Sequence, residues 1–288
     1  MSGPVDPADL QTVVHASGRG RVVALDSAYD VRPVNRDRDV AVNASYAGVL
    51  PARFIAQQRP RAAIGVDCGI GLDGAGIAGL WYLEALGIPA AAADVATVEL
   101  GNGVAMFEDA RISRVNAVAL DLGVVPGQPV REAALRLLET DPPPPAAASE
   151  VTHRTVMETA PSGRSIVCTD SIAFGLPEDA GRNVLCTAGH TGRSAVPYLR
   201  QVAPWGFICS DGGGGRDRSG TAGLAIVEAD GLAGASVDAS TARMGDGLST
   251  YEDGVISACN AGAAARGVVV GMSAREAAGR LLGDAPGP

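Results

Sequence analysis

The chain contains no lysine, and all 23 of its basic residues are arginine. Without a lysine amine the chain cannot form a Schiff base, anchor pyridoxal phosphate, or build a Walker-type phosphate loop or a Ser–Lys dyad. A compositional preference for arginine explains the absence and leaves these exclusions intact.

Other features are scarce. Aromatic residues make up 4% of the chain, the net charge is −9, and no basic stripe is present, which argues against nucleic acid as a partner. Apolar runs such as residues 88–93 are too short to span a bilayer, and residues 1–6 lack the basic and apolar regions of a signal peptide. The five cysteines show no regular spacing and are typical of reduced core thiols. We therefore expect a cytoplasmic protein with a small-molecule partner and no membrane partner, and self-association into a homo-oligomer stays open.

The sequence contains an internal repeat whose two copies lie about 144 positions apart. We assign residues 10–139 to a first α/β repeat, residues 154–283 to a second, and residues 140–153 to a Pro/Ala-rich linker of polyproline type. The matching pairs include Asp26-Ser27 with Asp170-Ser171, Gly76–Leu80 with Gly220–Leu224, Asn116 with Asn260, and Arg131–Ala134 with Arg275–Ala278.

Within the second repeat, strand patterns alternate with helix patterns. Strands are predicted at 165–169, 183–188, 206–209 and 232–237, and helices at 194–202, 221–229, 251–265 and 273–282. The last helix opens with Ser273 and Glu276, a capping box. This alternation predicts an α/β fold: a tandem duplication of a mostly parallel-sheet unit with helices on both faces and pseudo-two-fold related halves.

Each predicted strand of the second repeat ends in polar residues. In open parallel sheets, ligands bind beyond the carboxyl ends of the strands, so these side chains are expected to share a cleft. The plainer alternative is that strands simply run into polar loops. The residues concerned are Asp170, Ser171, His190, Thr191, Ser210, Asp211 and Asp238.

His190 is the one histidine at a predicted strand end, and a histidine there suits proton transfer near neutral pH. With Ser171 or Ser210 as nucleophile and Asp170 or Asp211 as orienting carboxylate, it would form an acyl-transfer triad. No Gly-x-Ser-x-Gly elbow accompanies it. A hydrogen-bonded loop histidine is the competing interpretation.

The most unusual segment is the glycine-rich loop at 210–220, whose backbone N–H groups would approach an anion closely. Arg216 or Arg218 would bind a carboxylate or phosphate, and Asp217 would orient one of these guanidinium groups or act as a base. The matching loop of the first repeat keeps both aspartates and its glycine spacing, which indicates a fixed backbone shape, against the alternative of a solvated turn. Candidate substrate-binding residues are Gly213, Gly214, Gly215, Arg216, Arg243, Asp67 and Asp73.

Cofactor patterns are weaker. Gly69, Gly71 and Gly74, with Asp94 about twenty residues on, match a dinucleotide fingerprint, but Asp67 stands where an apolar strand end is expected. No metal-ligand spacing of histidines or cysteines occurs, so we expect no cofactor; Mg²⁺ is the alternative if Asp211, Asp217 and Asp238 converge.

The repeats differ where chemistry is expected, because Tyr46 stands in place of His190 and Glu99 in place of Arg243. The second repeat is therefore the expected reacting half of a cofactor-independent hydrolase for a small polar or anionic substrate (an amide, an ester or a carboxylate-bearing compound). One alternative is an isomerase, racemase or lyase at the junction of the repeats, on the plan of tandem α/β aspartate/glutamate racemases. Those use one cysteine from each half, whereas here no cysteine matches a cysteine. The other alternative is a non-catalytic ligand-binding protein.

Overall fold

The computed structural model describes residues 10–142 and 154–283. It confirms the α/β fold class: two six-stranded mixed sheets, each with four parallel central strands, follow the same strand order. This is the architecture that a tandem duplication produces. The predicted linker at 140–153 lies outside the described residues apart from 140–142.

The first sheet has the order β1-β2-β3-β4-β5-β6, with β1 and β6 antiparallel at its edges. Its strands are β1 (Gln11–Ser17), β2 (Gly20–Leu25), β3 (Asp39–Tyr46), β4 (Ala62–Val66), β5 (Ala90–Ala93) and β6 (Ile112–Val115). Its helices are α1 (Val49–Gln58), α2 (Gly79–Ala85), α3 (Gly103–Asp109), α4 (Ala117–Asp121) and α5 (Val130–Leu138).

The second sheet repeats this order, with β7 and β12 as the antiparallel edges. Its strands are β7 (Arg154–Thr159), β8 (Ser165–Thr169), β9 (Val184–His190), β10 (Gly206–Ser210), β11 (Ala233–Val237) and β12 (Ile256–Cys259). Its helices are α6 (Val196–Val202), α7 (Ala222–Glu228), α8 (Gly247–Glu252), α9 (Ala261–Ala265) and α10 (Ala274–Leu282).

Each sheet belongs to a compact unit, and both units are discontinuous in sequence. Among the described residues, unit 1 comprises 10–68, 76–142 and 215–217, and unit 2 comprises 69–75, 154–214 and 218–283. Most of the glycine-rich loop after β4 is thus part of unit 2. Three residues of the matching loop after β10 are part of unit 1.

The core of unit 2 lies on both faces of its sheet. On one face α6 and α7 pack against Leu185 and Phe207, and on the other α8 and α10 pack against β8, β9 and β10. Helix α10 buries residues 274, 277, 278, 281 and 282, the spacing of a single helix face. The described helices have ten residues or fewer, and none of them has the length and apolar character needed to cross a bilayer.

The helix predicted at 251–265 is wrong. Helix α8 ends at Glu252, strand β12 pairs antiparallel with β11, and only then does α9 begin. Asn260 separates the two elements: its Oδ1 accepts from the Ala263 amide, which caps α9, and from the Gly234 amide at the start of β11. Pairing at the sheet edge therefore overrides the helix propensity of this alanine-rich stretch.

Two shared glycines explain why both repeats carry an aspartate after their second strand. A Cβ at Gly247 would lie 2.4 Å from the Thr169 carbonyl oxygen, and one at Gly103 would lie 2.3 Å from that of Leu25. Each close approach lets the aspartate bind the glycine amide, Asp170 to Gly247 at 3.3 Å and Asp26 to Gly103 at 2.9 Å. In unit 2 this contact holds the start of α8 at the end of β8.

Candidate functional site

The carboxyl ends of β8, β9, β10 and β11 lie at one edge of the unit 2 sheet, because these four strands are parallel neighbours. The predicted strand-end residues therefore follow one another along this edge, with His190 paired in register with Ser210. We call it the C-terminal edge of unit 2.

His190 is buried at the last position of β9, just after an irregularity in the pairing of β9 with β10. Such bulges redirect side chains and occur often beside active sites. The His190 Nδ1 accepts a hydrogen bond of 3.1 Å from the Gly192 amide, so in the neutral ring the proton is on Nε2. A carboxylate that orients Nδ1–H, as a catalytic triad requires, is not the arrangement found here.

The two candidate serine hydroxyls both accept backbone amides in tight turns. Ser171 Oγ accepts from Ala173 at 3.2 Å, and Ser210 Oγ accepts from Gly212 at 3.1 Å. Both serines are buried, and each oxygen keeps its own O–H group for donation.

The two candidate carboxylates shape the backbone. Besides the Asp170 contact described above, Asp211 Oδ1 accepts from Gly213 at 2.9 Å and from Ala239 at 3.0 Å. The Asp211 counterpart, Asp67 in unit 1, likewise accepts from the Val95 amide at 3.0 Å. The shared hydrogen bond has a structural role. In both units it connects the residue after the third parallel strand to the backbone just after the fourth.

A row of buried hydroxyl and thiol side chains crosses the four strands beneath this edge, and sequence reasoning missed it. Thr169 pairs with Thr187, and Cys209 pairs with Ser236, so their side chains lie side by side on one face. The Thr187 Oγ1 lies 3.2 Å from the Cys209 Sγ, and Thr191 Oγ1 lies 2.6 Å from Ser236 Oγ. All five are almost fully buried.

Thr169 is the exceptional member of this polar row. Its side chain is 1% exposed, and its Oγ1 has no hydrogen-bond partner among the described residues. A buried hydroxyl without a partner costs about 1–3 kcal/mol. A hydrogen bond to this hydroxyl would remove that cost.

The matching positions of unit 1 are nearly all apolar. They are Leu25, Asn43, Ala47, Gly65 and Ala92. Only Asn43 is polar: its Nδ2 donates to the Ile64 carbonyl at 2.9 Å, and its buried Oδ1 has no partner among the described residues. Comparing the repeats along their strands, and not only at the strand ends, is the signal that would have revealed the polar row.

The Cys186 and Cys209 thiols of this sheet are protonated at neutral pH. Burial raises the pKa of Cys209 to about 11, although hydrogen bonds with Thr187 and Thr191 lower it. A hydrogen bond with Cys168, together with burial, raises the pKa of Cys186 well above its ordinary value. These thiols therefore act as small polar donors and not as thiolate nucleophiles.

The glycine-rich loop after β10 is divided between the units. Residues 212–215 all adopt left-handed backbone conformations, as do residues 68–71 of the first repeat, so both loops follow one backbone shape. Gly213 and Gly214 lie in unit 2, whereas Gly215, Arg216 and Asp217 lie in unit 1. There the Arg216 guanidinium binds the Asp109 carboxylate at 3.2 Å, and Asp217 is exposed.

Arg243 belongs to unit 2, and its guanidinium is paired with two carboxylates. Its guanidinium lies 2.7 Å from the Asp73 carboxylate, which belongs to the same unit, and 3.3 Å from that of Asp253. The hydrogen bond with Asp73 raises the pKa of Arg243 further. This pairing occupies the groups that an anionic substrate would otherwise use.

The described parts of the chain contain no group of three or more His, Cys, Asp or Glu side chains placed to hold a metal ion. Asp238, one of the aspartates considered for Mg²⁺, accepts instead from the Ser240 amide and hydroxyl at 2.8 and 2.7 Å.

Comparison of the chain with protein-family models, curated proteins and solved structures finds no match. The side-chain chemistry of unit 2 is therefore what indicates a function.

Proposed function

We propose that this chain is a cofactor-independent hydrolase that acts on a small polar or anionic substrate at the C-terminal edge of unit 2. The substrate class is an amide, an ester or a carboxylate-bearing compound. The observation that supports this proposal is the buried polar row beside His190, which has no equivalent in unit 1.

The comparison of the two units makes the polar row informative. Burying hydroxyl groups opposes folding unless each finds a partner, and unit 1 builds the same sheet with apolar residues at four of the five positions. The fold therefore does not need the row. Buried polar side chains at positions where the fold accepts apolar ones are expected at functional sites.

In the proposed reaction, water attacks the carbonyl carbon of the substrate, and the bond to the leaving oxygen or nitrogen breaks. The Asp170 carboxylate, at the end of the neighbouring strand, takes the proton of the attacking water and then passes it to the leaving group, while His190 donates a hydrogen bond from Nε2–H to the carbonyl oxygen. The Thr169 hydroxyl donates to an oxygen of the substrate. Ser171 and Ser210, which retain their O–H groups, are the alternative nucleophiles.

The test is hydrolysis of a panel of small chromogenic esters, amides and carboxylate-bearing analogues by the wild-type chain and by His190→Gln. The matched control is Tyr46→Phe, at the equivalent strand end of unit 1. We expect His190→Gln to stay folded and to lose about 10²- to 10³-fold in kcat/KM, and Tyr46→Phe to stay near the wild type. Equal activity of His190→Gln and the wild type would refute the role of His190. Binding of panel compounds with no turnover by any variant would replace the hydrolase with a non-catalytic binding protein.

Thr169→Val gives a second, independent readout. Removing an unsatisfied buried hydroxyl should stabilise unit 2 by about 1 kcal/mol, because an isosteric methyl group carries no desolvation cost. The same change should raise KM, since the substrate loses its donor. A variant that is destabilised and fully active would show that the hydroxyl is structural.

A further inference from the structure

The amino-terminal ends of the same strands carry a second cluster, which the proposed reaction does not use. Trp205 precedes β10, and the Arg164 and Arg266 guanidinium carbons lie 3.7 and 4.3 Å from the centroid of its indole ring. Strands of five residues span about 16 Å, so this cluster is well separated from His190.

The positive charges of this cluster are not neutralised within the described residues. The Arg164 guanidinium contacts the indole and forms no ion pair or hydrogen bond there. Arg182, whose Nε donates to the Gly163 carbonyl at 2.9 Å, likewise has no described carboxylate partner. Burial and the nearby charge of Arg164 both lower the pKa of Arg266. Neighbouring guanidinium groups repel each other when no carboxylate lies between them, and a bound anion would reduce that repulsion.

Arg266 and Trp205 also have a structural role, in which Arg266 uses only its Nη1 group. The Arg266 guanidinium donates to the Trp205 carbonyl at 2.8 Å and to the Leu281 carbonyl near the end of α10 at 3.4 Å. The Trp205 Nε1 also donates to the Leu281 carbonyl, at 2.9 Å. Arg266 and Trp205 therefore form a fixed base on which Arg164 is stacked, with its N–H groups not engaged by described residues.

Unit 1 lacks the two arginines stacked on an indole, although Arg38 stands in place of Arg182. Gly20 stands in place of Arg164, Arg61 in place of Trp205 and Leu122 in place of Arg266. Arg61 is buried there, and its guanidinium donates to backbone carbonyls that include that of Arg19 at 2.7 Å. The stacked arginines of unit 2 are thus additional to what the fold requires.

We propose that Arg164, Arg182, Arg266 and Trp205 form a binding site for a phosphate group carried by a small molecule. A phosphate dianion offers several acceptor oxygens and more than one negative charge, which matches adjacent guanidinium groups better than a single carboxylate does. The Arg164 and Arg266 guanidinium carbons are within about 8 Å of each other, because both stack on one ring, so a phosphate at the ring edge can reach both.

Trp205 provides the measurement, because the chain has only one other tryptophan, Trp81. In a Trp81→Phe background, inorganic phosphate and then a phosphate monoester are titrated at constant ionic strength while Trp205 fluorescence is recorded, with succinate as the dicarboxylate arm. We expect a saturable change with both phosphate probes, and affinity weaker by about tenfold or more in Arg164→Gln and in Arg182→Gln. Arg200→Gln is the matched control, since Arg200 is an exposed arginine of the same unit paired with Asp230.

The outcomes are separable from those of the hydrolase test, because His190→Gln should leave phosphate binding unchanged. A fluorescence change that sodium chloride reproduces, no saturation with phosphate, or equal affinity of Arg164→Gln and Arg200→Gln would overturn the site. Tighter binding of succinate than of phosphate would overturn the assignment of the ligand.

Discussion

The two units differ in the size of the side chains that pack between the sheet and its helices at one pair of matching positions. In unit 2, Phe207 is fully buried in the space between the sheet and helices α6 and α7, and its ring leaves room only for glycine at position 234. The matching positions of unit 1 are Ala63 and Ala90, which line a small apolar cleft beside α1 and α2. A large residue beside glycine and two small residues thus support one topology. The summed volume of the pair is smaller in unit 1, where the difference is left as the cleft.

The largest expected effect comes from breaking the unit 2 pair. Phe207→Ala should cost about 3–5 kcal/mol, because a full ring is removed from a closed core. Hydrogen exchange is the measurement, since it reports unit 2 amides separately from those of unit 1. Protection should fall in β9, β10 and α6, with the unit 1 amides as the internal control.

The double variant sharpens this comparison. Gly234→Ala alone should destabilise unit 2 by about 1–3 kcal/mol, since the new Cβ would lie 2.0 Å from the Phe207 Cζ. Combined with Phe207→Ala, it recreates the unit 1 pair, and the double variant should lose clearly less than the sum of the single losses. Strict additivity would show that the two positions do not share the same space.

A second comparison concerns a buried carboxylate whose position is exchanged between the units. In unit 1, Asn35 donates to Asp39 at 2.8 Å; in unit 2, Asn183 donates to Asp179 at 2.8 Å, with asparagine and aspartate in swapped positions. Each aspartate is fully buried and also binds an arginine, Arg21 in unit 1 and Arg154 in unit 2. The buried acid–amide–arginine cluster is therefore kept while its parts move along the chain.

Arg154→Gln tests this second cluster and should destabilise unit 2 by about 3 kcal/mol, because it leaves a buried carboxylate without its cation. Burial raises the pKa of Asp179, but hydrogen bonds from Arg154 and Asn183 outweigh burial, and the net pKa is lowered. The stabilisation by the ion pair is therefore present above the ordinary aspartate pKa and is lost as pH falls through the lowered value. Denaturant unfolding should accordingly show a difference between Arg154→Gln and the wild type at pH 7 that shrinks in acid. A difference independent of pH would contradict the assignment.

A third comparison concerns Asp30, a buried carboxyl of unit 1 that stands where unit 2 has Phe174. Burial raises the Asp30 pKa to about 6, with the Arg32 charge opposing it. The folded unit then binds more protons than the unfolded chain between about pH 4 and pH 6, so stability falls as pH rises through this window, by up to about 3 kcal/mol. Asp30→Asn should remove this pH dependence in unfolding experiments. An unchanged slope would place the titrating group elsewhere.

The repeat, the strand–helix alternation and the capping of α10 were readable from the sequence, because they depend on local spacing. Ser273 Oγ accepts from the Glu276 amide at 3.2 Å, as the capping pattern predicts. The antiparallel edge strands β7 and β12 were not found. Strand β12 is stabilised by its pairing with β11, a partner that lies outside any window of local sequence.

The candidate site was readable only in outline. His190, Ser210 and Asp170 stand at strand ends, which a strand pattern locates without coordinates. The hydrogen bond from Gly192 to His190 Nδ1 depends on the turn after β9, and it sets which nitrogen carries the proton. The nearness of Thr169 to Thr187 depends on strand register, which brings together residues 18 positions apart.

The amino-acid sequence by itself determined the duplication, the α/β class and the polar character of the strand ends, since these follow from periodicity and from residue type. Tertiary structure alone decided which side chains lie side by side: the buried polar row across four strands, the two arginines on one indole, and the division of the glycine-rich loops between the units. The physical reason is that hydrogen-bond satisfaction, stacking and close packing depend on distances of a few ångströms between residues far apart in the chain. Only the folded pairing of strands and helices sets those distances.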